Sequence, residues 1–313
     1  MFFTLAKTVS IIDNLNVSIH YSMSISRQNL SIVIVTLKSE KVIHQCIKSI
    51  NLNIPIIIVE NSDNKKFKDE LEATYQNLRC VLSQTNLGMG AGNNIGIKSA
   101  KTDYVFVINP DITLNSNTLD ELFLASTKLP EFSILSPIAS DVNYPNYGMF
   151  NRKRKFEKTN QPFKVDYVDG FAMLLNKNRF KNDIYFDENF FLYLENNDLC
   201  LRVNKEGGSV FVVPSAKINH FGAKAVDSKF SNEVELSRNW HWNWSKFYFN
   251  KKHYGFLRAF KECFLSYFSS LTKILFYFLV NNNFKKKIYY CRASGFYNSL
   301  MGRKSWYRPN LKD

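Results

Sequence analysis

The chain has 313 residues, of which 45% are hydrophobic and 22% charged, a globular composition able to bury a sizeable core in one or two domains. Its five cysteines, Cys46, Cys80, Cys200, Cys263 and Cys291, form no CxxC pair, which excludes a disulfide scaffold and a zinc ribbon and suits reduced thiols in a cytoplasmic setting. The net charge of +14 is concentrated at one end: residues 240–313 carry 14 Lys or Arg against Glu262 and Asp313 alone, so an anionic partner, nucleic acid or lipid, is expected there.

Residues 1–30 contain Lys7, Asp13, Asn14 and Asn16 among apolar residues. They carry neither the uncharged core of a signal peptide nor that of a membrane span, and read as an N-terminal extension. Ser31 to Thr36 is a β-branched run typical of a buried parallel strand. Lys41 to Asn51 carries a helical face, and Pro55 to Val59 is a second buried strand ending in the polar turn Glu60-Asn61-Ser62-Asp63-Asn64. Lys66 to Gln76 reads as helix and Arg79 to Leu82 as strand. Gly88 opens a helix through Ala100, and Tyr104 to Ile108 is a fourth strand tipped by Asn109-Pro110-Asp111.

This alternation predicts an α/β fold with a parallel sheet, which binds ligands at the carboxyl ends of its strands. Thr36, Glu60 to Asp63 and Asp111 all fall at those ends. Residues 140–165 read as an irregular loop, Val168 to Leu175 as a strand around Gly170, Phe186 to Arg202 as a segment holding an acidic helix, and Ser209 to Val213 as a strand with His220 beyond it. Phe256 to Val280 is aromatic and apolar but interrupted by Arg258, Lys261, Glu262 and Lys273, which fits amphipathic helices in a membrane interface better than a span.

Several of these residues can carry chemistry. A carboxylate at Asp111 can hold Mg²⁺ or Mn²⁺ against a diphosphate; read alone, Asn-Pro-Asp is also ordinary turn chemistry. Glu60 and Asn61 can recognise a nucleoside or simply face solvent. Asn86 to Asn94 has Gly88, Gly90 and Gly92 but Asn93 where a dinucleotide fingerprint needs glycine, so it reads as close backbone packing beside a donor site. Glu195 and Asp198 stand three apart and share a helical face; either can deprotonate a hydroxyl, or both can be acids suited to a helix N-terminus. His220 can complement Asp111 on Mn²⁺, or be an ordinary histidine.

The order of these pieces, from Thr36 through Ile-Val-Glu60-Asn61-Ser62, Asn86-Leu-Gly88, Asn109-Pro110-Asp111, Val168-Asp169-Gly170, Phe186-Asp-Glu188 and Glu195-Asn-Asn-Asp198-Leu-Cys-Leu-Arg202 to His220, resembles the family 2 glycosyltransferases, especially their rhamnosyltransferase-like branch. The resemblance covers about residues 31–255. It implies a GT-A fold that binds a nucleotide-diphosphate sugar and inverts the anomeric carbon, with a glycan or lipid-linked saccharide as acceptor, in cell-surface polysaccharide assembly. It implies that Asp111 is the second acid of the metal motif, with His220 completing the site. Thr36, Glu60, Asn61, Asn86, Gly88 and Asn109 then lie on the donor side, and Asp169 and Gly170 on the acceptor side.

The sequence departs from the family twice. Glu60 stands where Asp is usual. Asn196 stands where the family's base is often an Asp, which leaves the proton transfer to Glu195 or Asp198.

Residues 256–313 form a basic amphipathic tail for an anionic membrane surface, at the cytoplasmic face. Nucleic acid is disfavoured as its partner because the tail is more apolar than a solvated nucleic-acid surface requires. A nucleotidyltransferase would carry a basic glycine-rich loop after the first strand, and Thr36-Leu-Lys-Ser39 has no glycine. A nucleotide-sugar-binding homologue without transfer activity is the other reading, and Asn196 is the residue that favours it.

Overall fold

The computed structural model describes residues 25–50, 53–141, 145–150, 159–222 and 225–311. Most of the N-terminal extension and much of the 140–165 loop lie outside these residues. Ile25, within the described part of that extension, is buried in the main core.

The chain runs β1 (Leu30–Thr36), α1 (Ile43–Lys48), β2 (Ile56–Glu60), α2 (Lys65–Thr74), β3 (Leu78–Leu82), α3 (Met89–Ser99), β4 (Tyr104–Ile108), β5 (Ile112–Leu114), α4 (Thr118–Lys128) and β6 (Ile134–Ala139). It continues through β7 (Tyr147–Gly148), β8 (Phe163–Lys164), β9 (Tyr167–Val168), β10 (Ala172–Asn176), α5 (Glu195–Lys205) and β11 (Val210–His220). Three long helices close it: α6 (Ser231–Tyr254), α7 (Phe256–Leu279) and α8 (Asn283–Leu300).

The main sheet has the order β3-β2-β1-β4-β10-β6-β11-β5, with β8 added along β11. Its strands are buried on both sides because successive side chains alternate between two cores. Ile32, Ile34, Ile56, Ile58 and Phe106 face α1, α2 and α4. Val33, Ile57, Val105 and Val107 face α3 and α5. This double burial makes the strands continuous apolar runs. Burying a side chain the size of Phe106, which is fully enclosed, contributes about 1.5–3 kcal/mol. Helix α3 approaches β1 closely: a Cβ on Gly96 would stand 2.3 Å from Val33 Cγ1, so the glycine run serves packing.

The sheet is mixed rather than wholly parallel. Strand β10 runs antiparallel to both β4 and β6. A run of apolar residues states that a strand is buried but not which way it points. The direction of β10 matters to the site. Its N-terminal end lies at the carboxyl edge, with Ala172 beside Ile108, and brings Asp169 and Gly170 to the tips of β1 and β4.

Other expectations are corrected in the same region. The 168–175 segment is two strands broken at 169–171 rather than one. The acidic helix expected within 186–202 is present as α5, which begins at Glu195 after Tyr193 (φ 70) and Leu194 (φ 66) in the left-handed region. Strand β11 runs to His220 instead of stopping at Val213. Its register with β6 shifts between Val213 and Lys217, where Pro214 lacks an N–H for the ladder. Strand β5 pairs antiparallel to β11 with Ile112 opposite His220, which seats Asp111 beside that histidine.

All five cysteines are buried and unpaired. Among the described residues no helix is long and apolar enough to cross a membrane.

Candidate active site

Thr36 and Glu60 are neighbours in the β1–β2 ladder, and both are fully buried. Thr36 Oγ1 has no hydrogen-bond partner. Glu60 closes the polar turn after β2: its carboxylate accepts from Ser62 N at 3.0 and 3.1 Å, from Ser62 Oγ at 2.6 Å and from Asn64 N at 2.7 Å. Three donors thereby engage both carboxylate oxygens. Glu60 sits at the expected edge, where these bonds shape the loop. Asn61 Nδ2 donates to Gly88 O at 3.0 Å and so ties this turn to the start of α3. Asn86 Oδ1 accepts from Gly88 N at 3.1 Å. Gly88 has φ 85, and a Cβ there would stand 2.2 Å from Phe191 O. Only glycine permits the 186–194 segment to come this close.

At the tip of β4, Asn109 N donates to Phe171 O at 2.9 Å, while Asn109 Oδ1 has no partner. Asp111 is 3% exposed and its Oδ1 accepts no hydrogen bond. His220 Nε2 lies 3.6 Å from that oxygen, and the imidazole packs on Phe171 with centroids 4.2 Å apart. Burial holds the Asp169 carboxyl above the usual carboxylate range, and nearby His220 partly offsets this. Thr36, Asn109 and Asp111 thus carry buried oxygens without donors at the tips of adjacent parallel strands. A buried polar atom without a partner costs about 1–3 kcal/mol, and such atoms gathered at one strand edge mark a place built for a ligand. Among the described residues no group of three His, Cys, Asp or Glu is arranged to hold a metal. One carboxylate and one imidazole still fit Mg²⁺ or Mn²⁺, which take only one or two protein ligands when phosphate oxygens and water complete the shell.

The two acids of α5 differ sharply. Glu195 opens the helix directly after the left-handed pair Tyr193 and Leu194. Such positions cost about 1–2 kcal/mol per non-glycine residue and cluster at functional sites. Its side chain is enclosed, Oε2 has no partner, and burial raises its carboxyl to about 7. Asp198 is fully enclosed and fully engaged: it accepts from Arg202 Nε at 2.9 Å, Lys252 Nζ at 2.6 Å and His253 Nε2 at 2.8 Å. Asn196 Nδ2 donates to Val168 O at 2.7 Å, and a Cβ on Gly170 would lie 3.3 Å from Asn196 Cβ. The amide therefore fastens α5 to the 168–170 segment, where Asp169 and Gly170 were expected to face an acceptor.

Sequence reasoning missed the segment after α8. It folds back as a strap over the edge that holds Asn86 and Phe191. Arg308 Nε donates to Asn86 O at 3.1 Å, and its guanidinium lies 3.9 Å from the Phe191 ring centroid. His241 of α6 anchors the strap: Nε2–H donates to Tyr307 O at 2.9 Å, and Nδ1 accepts from Ser305 Oγ at 3.0 Å. Burial lowers this imidazole to about 3, so it is neutral, as the two bonds require. The imidazole also stacks on Phe191 at 4.4 Å. The available signal was the non-periodic run Arg303-Lys304-Ser305-Trp306-Tyr307-Arg308, which basic composition alone assigns to the tail.

A doubly covered α/β sheet with donor-side loops and a deep acid gathered at one strand edge defines a GT-A glycosyltransferase fold. A solved mannosyltransferase from Pyrobaculum calidifontis, in complex with GDP-Man and Mn²⁺, shares it with a TM-score of 0.53 at 10% sequence identity, over 88% of this chain and 88% of that one. Residues 31–182 match the profile described as Glycosyl transferase family 2. It is 26% identical over 228 residues to the low-salt glycan biosynthesis hexosyltransferase Agl10 of Haloferax volcanii, covering 67% of this chain and 69% of that protein. It is also 24% identical over 211 residues to the N-acetylglucosaminyl-diphospho-decaprenol L-rhamnosyltransferase of Mycobacterium tuberculosis, covering 55% of this chain and 68% of that protein.

Proposed function

We propose that the chain is an inverting glycosyltransferase that moves a sugar, rhamnose by analogy with the mycobacterial relative, from a nucleotide diphosphate to a hydroxyl of a lipid-linked saccharide. Cell-surface polysaccharide assembly is the setting that suits such an acceptor. The observation that carries this reading is Glu195: an enclosed carboxyl near pH 7 with a free oxygen, in a fold whose strand tips hold unpartnered oxygens.

In this reading Glu195 takes the proton from the acceptor hydroxyl. The hydroxyl oxygen forms a bond to the anomeric carbon from the face opposite the diphosphate. The bond from that carbon to the diphosphate oxygen breaks, and the configuration inverts. A base matched to neutral pH contributes about 10²–10⁴-fold. Asp198 is a positioning residue, since its ion pairs hold α5 to α6. Thr36, Asn109 and the loops held by Glu60, Asn61, Asn86 and Gly88 receive the donor. Asp111 and His220 would hold a divalent metal, whose charge neutralises the diphosphate when bound. Asp169 and Gly170 border the acceptor.

Residues 31–255 are taken as the transferase domain and 256–313 as an extension that meets an anionic membrane at its cytoplasmic face. Leu257, Leu265, Phe268, Leu275 and Phe278 are exposed along α7, with Lys285 to Lys287 at the start of α8. Apolar side chains beside lysines support binding within the headgroup layer.

The test is release of nucleotide diphosphate from a panel of nucleotide sugars with Mn²⁺. Release from at least one donor, lost in Asp111→Ala, is expected. No release from any donor, or release unchanged by Asp111→Ala, contradicts the reading. A protein that binds donor without releasing nucleotide diphosphate would be the non-transferring homologue that Asn196 favours.

A further inference from the structure

Helices α6, α7 and α8 and the strap line an open cavity of about 810 Å³, away from the strand tips. Its size lies within the range of about 300–1,000 Å³ usual for small-molecule sites. Trp240, Leu271, Tyr290 and Trp306 contribute an apolar and aromatic wall, and Lys287 and Arg303 also line it. We propose that this cavity receives the isoprenoid chain and the diphosphate of a polyisoprenyl-diphosphate-linked acceptor. The proposal rests on the reading that the acceptor is lipid-linked, and it places that acceptor's anchor.

No carboxylate among the described residues forms an ion pair with Lys287 or Arg303; the Arg303 guanidinium lies 5.9 Å from the Tyr297 ring centroid. Glu233, the one acid in the lining, accepts from the backbone N–H of Asn310 at 3.1 Å and so belongs to the strap's own fastening. Two cations beside an aromatic wall match a ligand with an anionic head and a long apolar chain.

The cavity and the active site share the strap as a wall. Trp306 and Tyr307 line the cavity, and Arg308, the next residue, donates to Asn86 beside the donor loop. Trp240 lines the cavity, and His241, the next residue, stacks on Phe191, whose carbonyl accepts from Met89 N at 2.9 Å. A chain seated here presents its diphosphate-linked sugar toward the segment that leads into Glu195. Leu271 is exposed at the cavity and on α7, so the groove is continuous with the helix face proposed to meet the bilayer, from which the chain can enter.

The test uses farnesyl diphosphate, a sugar-free probe of the same chemistry, titrated against the full chain with tryptophan fluorescence as readout, since Trp240 and Trp306 line the cavity. Saturable binding is expected, weakened about tenfold or more in Leu271→Asp and in Arg303→Glu, with circular dichroism showing both variants folded. Undiminished binding by both variants overturns the proposal. So does an equal, Leu271-sensitive response to phosphatidylglycerol vesicles, which would make the occupant a bilayer lipid. Sugar transfer to lipid-linked acceptors with no farnesyl diphosphate binding would retain the activity and discard the cavity. Binding without any transfer to lipid-linked acceptors would retain the cavity and discard the acceptor reading.

Discussion

His253 donates to Asp198 across 2.8 Å and fastens the last turn of α6 to the first turn of α5. Lys205 Nζ lies 3.3 Å from the opposite ring nitrogen, so the imidazole bridges the two as the Nε2–H tautomer. Burial lowers the His253 pKa, and Asp198 only partly restores it, which agrees with a neutral ring. With Arg202 and Lys252 on the same carboxylate, Asp198 is a structural anchor, and Glu195 is the acid left with a free oxygen.

Asp198→Asn is therefore expected to destabilise the fold by about 1–3 kcal/mol, because the enclosed carboxylate loses its charge-assisted bonds from Arg202 and Lys252. Urea unfolding measures this. A variant of unchanged stability that has lost transfer would instead make Asp198 the base.

Glu195→Gln should have the opposite effect at high pH. Burial raises the Glu195 carboxyl from 4.5 to about 7. Its contribution to stability is therefore complete below about pH 4.5 and is lost as pH rises through about 7, where the buried group must ionise. Calorimetry should show the Gln variant gaining stability over wild type between pH 5 and pH 8, by at most about 3 kcal/mol. A gap independent of pH would contradict the assigned shift.

Gly88→Ala combines a left-handed backbone with a Cβ 2.2 Å from Phe191 O. A cost of about 1–3 kcal/mol is expected, together with loss of the thermal shift that a nucleotide sugar confers. A variant with wild-type melting and donor response would show that the 86–94 loop is not held as described.

Asp111 carries a buried oxygen without a donor. Replacing it by Ala should raise the melting temperature of the metal-free protein while removing the further rise that Mn²⁺ with nucleotide diphosphate gives to wild type. His220→Ala should weaken that rise. A full Mn²⁺ response in Asp111→Ala would move the metal elsewhere.

The exposed face of α7 predicts co-sedimentation with anionic vesicles at low salt, reduced at high salt and in a Leu265→Glu/Phe268→Glu variant. No sedimentation at low salt would remove the membrane from the proposed function.

The strand tips were legible in the sequence because each is local: a β-branched run followed within a few residues by Thr36, Glu60 or Asp111. The two acids of α5 were legible as a pair but not as different kinds of group. What separates them is distant in sequence, since Lys252 and His253 stand more than fifty residues beyond Asp198. Glu60 was placed correctly at its edge, but its bonds to Ser62 and Asn64 depend on how the turn closes, which composition does not state. The strap was invisible for a similar reason: Arg308 meets Asn86 across 222 residues, without any periodicity to announce it.

The most direct test of Glu195 as the base is the rate of sugar transfer against pH, in wild type and in Glu195→Gln. Wild-type transfer should rise with pH to a plateau with an apparent pKa near 7, set by the buried Glu195 carboxyl. The Gln variant should bind donor as tightly, transfer about 10²–10⁴-fold more slowly on the plateau and lack the rise through pH 7, so that the gap narrows at low pH. Transfer by Glu195→Gln at the wild-type rate, with the same pH profile, would contradict the account.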